Sequence, residues 1–195
     1  MGYSIKLTGK NKKKAESLLV DVVSTLDSNH IQYALEGGTL LGIYRENRLL
    51  PWDSDLDLSI LCDELEKTDG LINDLKERGY RIRTRLFEND TIPFKKGNLR
   101  IIKIRTKSFF GLLKGNVCLE IFVKYPHQDN VYWEVAGNKM AAPKAFYKDY
   151  KKIRFLDTSF FTPALTEEYL THKYGDWKKT VKEWDAATEE NSLVA

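Results

Sequence analysis

Asp55 and Asp57 flank a single leucine in the run Pro51-Trp52-Asp53-Ser54-Asp55-Leu56-Asp57-Leu58-Ser59-Ile60-Leu61, and no other feature constrains the chain as tightly. Side chains on a strand alternate with a period of two, so both carboxylates point to one face of a segment whose other residues are largely apolar. They stand about 6–7 Å apart along the strand. At that distance like charges repel and half-burial strips their hydration, a combination tolerated mainly where a hard cation neutralises the pair. Two solvated acids at the start of a strand is the competing reading of an isolated D-x-D.

The chemistry is bounded by size and charge. A chain of 195 residues, 42% hydrophobic, is long enough for one ordinary globular domain with its own core and short for two. A net charge of +3 with 30% charged residues does not announce nucleic acid, and its sign suits an anionic small-molecule substrate equally well. Cys62 and Cys118 occur without C-x-x-C or clustered Cys/His spacing, which argues against structural zinc. Met1 to Lys14 is too polar for a signal peptide, and no apolar run approaches the roughly 18 residues of a membrane span. A reduced, cytoplasmic protein is expected, with the Lys10 to Lys14 cluster as a solvated helix start.

Helical and strand-like patterns alternate along the chain. Leu18, Leu19, Val22, Val23 and Leu26 predict an amphipathic helix ending near Asn29, followed by a strand from Ile31 to Leu35. Glu36-Gly37-Gly38-Thr39 then opens a short helix through Leu40, Leu41, Ile43 and Tyr44. After the aspartate strand, Asp63 is the expected N-cap of a helix carrying Leu65, Leu71, Ile72 and Leu75, with Gly79 beyond its end. Strands are expected at 80–87, 99–106, 117–125 and 131–135, and a hairpin at 152–161. Thr162-Pro163 reads as cap and first-turn proline of a helix that stops at Gly175, and from Ala186 the chain reads as frayed.

This order brings glycines to the carboxylates. Gly37-Gly38 lies at a strand-to-helix junction, where backbone N–H groups are free and the helix N-terminus favours phosphate. Glu120 is the single charge in Val117-Cys118-Leu119-Glu120-Ile121-Phe122-Val123, and a lone carboxylate there costs several kcal/mol unless paired or metal-bound. It is therefore a candidate third metal ligand, with a salt bridge to a neighbouring Lys or Arg as the alternative. Lys103 and Arg105 share one face of the preceding strand and are candidates to meet a diphosphate, or else are solvated outward-facing charges. Arg45 is a further candidate for phosphate or for Glu120. Arg81, Arg83 and Arg85 read as the wet face of an edge strand, with an anionic acceptor as the lesser reading. His30, His127 and His172 have no metal spacing.

These motifs resemble the LicD/fukutin family of the DNA polymerase β-like nucleotidyltransferase superfamily. The resemblance is carried by Gly37-Gly38-Thr39-Leu40-Leu41-Gly42-Ile43-Tyr44-Arg45 and by Leu49-Leu50-Pro51-Trp52-Asp53-Ser54-Asp55-Leu56-Asp57. It continues through Ile102-Lys103-Ile104-Arg105, Leu119-Glu120-Ile121-Phe122, Glu167-Glu168-Tyr169-Leu170 and Tyr174-Gly175-Asp176-Trp177, in the family's order. The chain departs from the usual pattern at Ser54, where an acid is common, at Glu120, where aspartate is common, and at Val123-Lys124-Tyr125 in place of Pro-Leu-Asp.

The resemblance implies an α+β, polymerase β-like nucleotidyltransferase fold with a mixed central sheet flanked by helices. One domain would span 1–185, with 186–195 a flexible tail. The implied activity moves a phospho-alcohol, either phosphocholine or a ribitol or glycerol phosphate, from a CDP-linked donor to a hydroxyl of a surface glycan or lipid-linked glycan, releasing CMP. Asp55, Asp57 and Glu120 would be catalytic and would hold Mg²⁺, with Mn²⁺ as a substitute. Asp53 would be an accessory acid, and Gly37, Gly38, Thr39, Arg45, Lys103 and Arg105 would bind the donor. No nucleic-acid partner is expected. The alternative is a nucleotidyltransferase that attaches a nucleoside monophosphate to a small molecule or RNA and expels pyrophosphate. A non-enzymatic binding relic is the third reading, against which the intact acids argue.

Overall fold

The helical spacing of Leu18, Leu19, Val22, Val23 and Leu26 is realised in α1 (Gly9–Ser28), which buries all five in a computed structural model describing residues 5–108 and 113–194. β1 (Tyr33–Leu35) follows, then α2 (Gly37–Glu46), which ends where Asn47 takes a left-handed conformation at φ 49°. Asparagine tolerates that conformation and so closes a helix. β2 (Leu56–Leu61) carries the aspartate run, with Asp55 just ahead of the strand and Asp57 inside it. A 3₁₀ turn at Cys62–Lys67 leads into α3 (Thr68–Glu77). Asp63 thus sits within the 3₁₀ turn and does not cap a helix, because the chain makes a tight turn before the α-helical hydrogen bonds begin.

β3 (Arg81–Leu86), β4 (Leu99–Ser108) and β5 (Leu113–His127) complete the main sheet, in the order β1-β2-β5-β4-β3. β2 and β5 are parallel and the other neighbours antiparallel, so the fold is α+β with a mixed central sheet. Leu56, Leu58, Ile102, Ile104, Leu119 and Ile121 are fully buried in the core to which α1 and α3 contribute. Removing large aliphatic side chains from water is the dominant stabilising term in such a layer. Asp57, Glu120 and Lys103 fall on the alternate positions, which places them on the other face.

β5 runs on past this sheet, and its end pairs with β6 (Asn130–Val135), which pairs with β7 (Asn138–Pro143). A second, two-stranded sheet joins β8 (Tyr150–Phe155) to β9 (Thr158–Pro163). Thr162 and Pro163 belong to β9, and α4 (Thr166–Tyr174) begins only afterwards, ending at Gly175 as the pattern predicts. The expected cap at Thr162 fails because its backbone pairs with Lys151. Residues 186–194 differ from the expected frayed end: Ala141 N–H donates to Ser192 O at 2.7 Å, and Val194 N–H donates to Lys139 O at 2.9 Å. Glu190 and Ser192 are buried, so this segment lies along β7 as part of the packed structure.

Gly42 in α2 shows how closely the short helix meets the chain that follows it. A Cβ there would lie 2.6 Å from Arg48 O and 2.9 Å from Leu50 Cγ. We expect Gly42→Ala to cost about 1–3 kcal/mol through overpacking, despite alanine's better helix propensity, as read by urea unfolding.

Candidate active site

The strand registers assemble a charged row on one face of the sheet. Asp57 lies opposite Glu120, and Glu120 opposite Lys103, whose Nζ donates to Glu120 Oε1 at 2.6 Å. The salt bridge weighed for Glu120 is therefore present, and it stands beside the aspartates. The three residues line a cavity of about 590 Å³ together with Asp53, Asp55, Gly37, Gly38 and Arg45. That volume is in the range of small-molecule sites.

Gly37 and Gly38 open α2 under the aspartates, Gly37 at φ +54°. A side chain at Gly37 would collide with the Asp57 carboxylate, and one at Gly38 with the Asp53 carboxylate. The glycines thus let two carboxylates approach the helix N-terminus, whose partial positive charge favours them. Asp53 Oδ1 accepts from Ser54 N–H at 2.8 Å, which steadies the turn ahead of β2. Thr39 is buried, and its hydroxyl accepts from Asp57 N–H at 2.9 Å. Its role is to tie α2 to β2, and it is not among the residues lining the cavity.

The acids crowd one another. Burial first, then the charges of Asp53 and Glu120, push the Asp55 carboxyl up to about 7, against a hydrogen bond from Ser54 and the charge of Lys103. Burial and the charges of Asp55, Asp53 and Glu120 push Asp57 well above the usual carboxylate range. Burial also raises Asp53. Clustered carboxylates with raised proton affinity are a donor set for a hard divalent cation. Among the described residues, no group of three His, Cys, Asp or Glu side chains is arranged to hold a metal ion. Asp55 and Asp57 are the pair that fits, with Glu120 coupled to them by charge while Lys103 engages it.

Two expected donor-binding cations are placed differently: Arg45 lines the cavity but is engaged by protein groups, and Arg105 does not line it. Arg45 Nη1 donates to Trp177 O at 2.9 Å and its other nitrogens engage Glu46, so its guanidinium pins the chain after α4 to the cavity wall. Arg105 lies opposite Arg81 and Cys118, and is not among the residues lining the cavity. Trp177 does line it, beside Trp52, Lys179, Lys182 and Trp184.

A second charged group at the base of the cavity was not singled out from the sequence. Glu36 is 2% exposed, and its carboxylate accepts from Lys124 Nζ at 2.5 Å, Lys173 Nζ at 3.1 Å, Tyr169 Oη at 2.8 Å and Ser59 Oγ at 3.0 Å. Lys124 Nζ also donates to Tyr147 Oη at 2.7 Å and sits 4.0 Å above the Trp133 ring. Lys173 reaches Glu190 at 3.3 Å, so two ammonium groups face two carboxylates. Burial alone would raise the Glu36 carboxyl, but Lys124, Lys173 and these hydrogen bonds prevail and hold it at about 2. Burial lowers Lys124 to about 8 against the pull of Glu36. The available signal was Lys124, a lone cation inside an apolar strand, the same oddity that marked Glu120.

Comparison with known proteins fits this geometry. Residues 30–164 match the family model described as LicD/FKTN/FKRP, nucleotidyltransferase domain. The chain is 29% identical over 180 residues to ribitol-5-phosphate transferase FKTN of Macaca fascicularis, covering 89% of this chain and 35% of that protein. It is 28% identical to the Homo sapiens FKTN over the same length and coverage. The chain therefore spans about a third of these relatives' length. A crystal structure of ANT(2")-Ia in complex with adenylyl-2"-tobramycin aligns with a TM-score of 0.39 at 13% identity, covering 67% of this chain and 57% of that one.

Removing one member of the Glu36 group leaves buried charge without its counterpart, so Glu36→Gln should destabilise by about 3–5 kcal/mol in urea unfolding. The folded carboxyl at about 2 lies below its ordinary 4.5. Its contribution is therefore complete above that ordinary value and is lost as pH falls through the folded value. Glu36→Gln should accordingly show a shallower loss of stability on acidification across this window.

Proposed function

The chain belongs to the LicD/FKTN/FKRP nucleotidyltransferase family, and from that premise we propose that it is a divalent-cation-dependent transferase of phospho-alcohols from a CDP-linked donor to a glycan hydroxyl. The observation that carries this reading is the convergence of Asp55, Asp57 and Glu120 on one cavity wall beneath the N-terminus of α2. The FKTN relatives, named as ribitol-5-phosphate transferases, support a polyol phosphate as the transferred group. We assign the chain a polymerase β-like nucleotidyltransferase fold on the same family grounds.

Asp55 and Asp57 would hold Mg²⁺, or Mn²⁺ in its place, with Glu120 beside them and engaged by Lys103. When bound, the cation supplies charge neutralisation for the donor diphosphate and Lewis-acid polarisation of its oxygens. The acceptor oxygen attacks the phosphorus that bears the alcohol, forming one P–O bond. The P–O bond to the bridging oxygen breaks, and that oxygen leaves with CMP. Glu120 takes the hydroxyl proton, or else Asp57, whose proton affinity burial and then its acidic neighbours raise. Lys103 balances phosphate charge as it leaves Glu120 for the donor. The protein's contribution is alignment and charge compensation, which supply most of the acceleration in such transfers.

Two experiments test the reading. Calorimetry with Mg²⁺ and a panel of CDP-choline, CDP-ribitol, CDP-glycerol and CDP-ethanolamine should give one clear binder, and turnover should release CMP. Pyrophosphate formed from a nucleoside triphosphate, with no CMP from any CDP donor, would replace this activity with nucleotidyl transfer. Asp57→Asn should abolish turnover while raising the melting temperature of the cation-free protein, because a repelling charge is removed. In the wild type, Mg²⁺ at 100 times its Kd should stabilise by about 2.7 kcal/mol. An equal Mg²⁺ response in Asp57→Asn would sink the metal assignment.

A further inference from the structure

Seven cations line the cavity, and five of them are already held by carboxylates of the protein. Arg45 engages Glu46, Arg100 engages Glu134, Lys103 engages Glu120, and Lys124 and Lys173 share Glu36 at the base. The other two are Lys179 and Lys182, and among the described residues no carboxylate pairs with either. Asp176 and Asp185 lie on the same wall, and neither forms an ion pair with them. Both lysines are exposed, and both lie beyond residue 164, outside the stretch matched by the family model.

The segment that carries them is fastened at two points. Arg45 Nη1 donates to Trp177 O at 2.9 Å and to Lys179 O at 3.4 Å. Further along, Asn191 N–H donates to Lys173 O at 3.1 Å, and Leu193 bridges to Met140 of β7. Lys182 stands between these fastenings, its Nζ 5.9 Å from the centre of the Trp52 ring. Trp52 directly precedes Asp53, so this ammonium group lies beside the acid loop without touching a carboxylate. Lys179 comes three residues earlier, where Arg45 holds its carbonyl oxygen.

In an in-line displacement at phosphorus, the attacking and leaving oxygens stand on opposite sides of the reacting atom. The attacking hydroxyl gives its proton to a carboxylate, which puts that side against the acids. The leaving side then faces away from them, and negative charge grows there as the P–O bond breaks. A cation placed for that charge must be on the same cavity, apart from the acids and not neutralised by the protein. Lys179 and Lys182 meet all three conditions. Arg45, engaged by Glu46 and by main-chain oxygens, does not.

We propose that Lys179 and Lys182 hold the phosphate that departs with the nucleoside. When the bond from the reacting phosphorus to the bridging oxygen breaks, its electron pair stays on that oxygen, which becomes part of the nucleoside monophosphate. The two ammonium groups neutralise the charge so gained. This deepens the transferase reading and rests on it.

The probes are CMP and cytidine, titrated by calorimetry against the full chain with and without Mg²⁺. The wild type should bind CMP in both conditions and bind cytidine at least tenfold more weakly. Lys179→Gln and Lys182→Gln should each weaken CMP about tenfold, the loss expected for one charge-assisted hydrogen bond, and Lys→Arg at either position should restore it. Lys178→Gln removes the same charge from a neighbouring residue that does not line the cavity, and should leave CMP affinity unchanged. The Mg²⁺-induced rise in melting temperature should be the same in all variants, which reports an intact acid cluster. CMP affinity equal to wild type in both lysine variants overturns the proposal, and release of CMP from a CDP donor by the same proteins would leave the transferase reading standing. Cytidine binding as tightly as CMP, or an equal loss in Lys178→Gln, also overturns it. Lysine-dependent CMP binding by a protein that releases no CMP from any CDP donor supports the phosphate grip and overturns the transferase reading instead.

Discussion

The carboxylate of Glu36 is the tie on which the site depends. Its backbone closes β1 onto β2 through a 3.0 Å bond to Asp57 O and accepts the first helical bond of α2 from Leu40. Its side chain reaches β5 through Lys124 and α4 through Lys173 and Tyr169. One residue thus fixes the relative positions of the strand that carries Asp57, the strand that carries Glu120, and the helix that closes the cavity floor. Buried ion pairs seldom add net stability over well-packed hydrophobic groups, but dismantling one is costly. A network of this kind specifies one arrangement of four elements around a polar cavity more sharply than an apolar plug would.

Above that tie, the acids are held at a spacing that is unfavourable on electrostatic grounds. Burial and the charges of neighbouring acids raise the proton affinity of Asp55 and Asp57, while the glycines at the start of α2 bring the Asp53 and Asp57 carboxylates against a helix terminus that partly offsets them. Lys103 offsets Glu120 from the other side. The structure therefore stores repulsion where ligand charge of the opposite sign would relieve it, a pattern that marks binding and catalytic sites.

Much of this was legible in the sequence because the responsible patterns are local. The period-two spacing of Asp55 and Asp57, the lone acid in the β5 run and the glycines at the α2 junction each announce themselves within a few residues. The row joining Asp57, Glu120 and Lys103 follows once the strands are ordered. What escaped depends on distance along the chain. Glu36 meets Lys173 across 137 positions, and nothing local in either segment names the other. Arg45 lines the cavity as its phosphate reading expects, but its bond to Trp177 O, 132 residues away, has no local signal. Thr162 and Pro163 carry a sound helix-start signal, which the pairing of β9 with β8 overrides. The segment after Ala186 is polar enough to look frayed, and only its backbone bonds to β7 reveal otherwise.

The cavity has two kinds of wall. Its floor, with Glu36, Asp55, Asp57, Lys103 and Glu120, lies inside the stretch matched by the family model, whereas Trp177, Lys179, Lys182 and Trp184 lie beyond residue 164, where that match stops. Arg45 clasps this outer wall through main-chain oxygens of Trp177 and Lys179, a grip indifferent to side-chain identity. A lineage can therefore exchange the side chains that greet an incoming molecule without disturbing the anchorage or the reacting groups. Such modularity lets one inherited engine acquire new clientele through drift in a short terminal stretch.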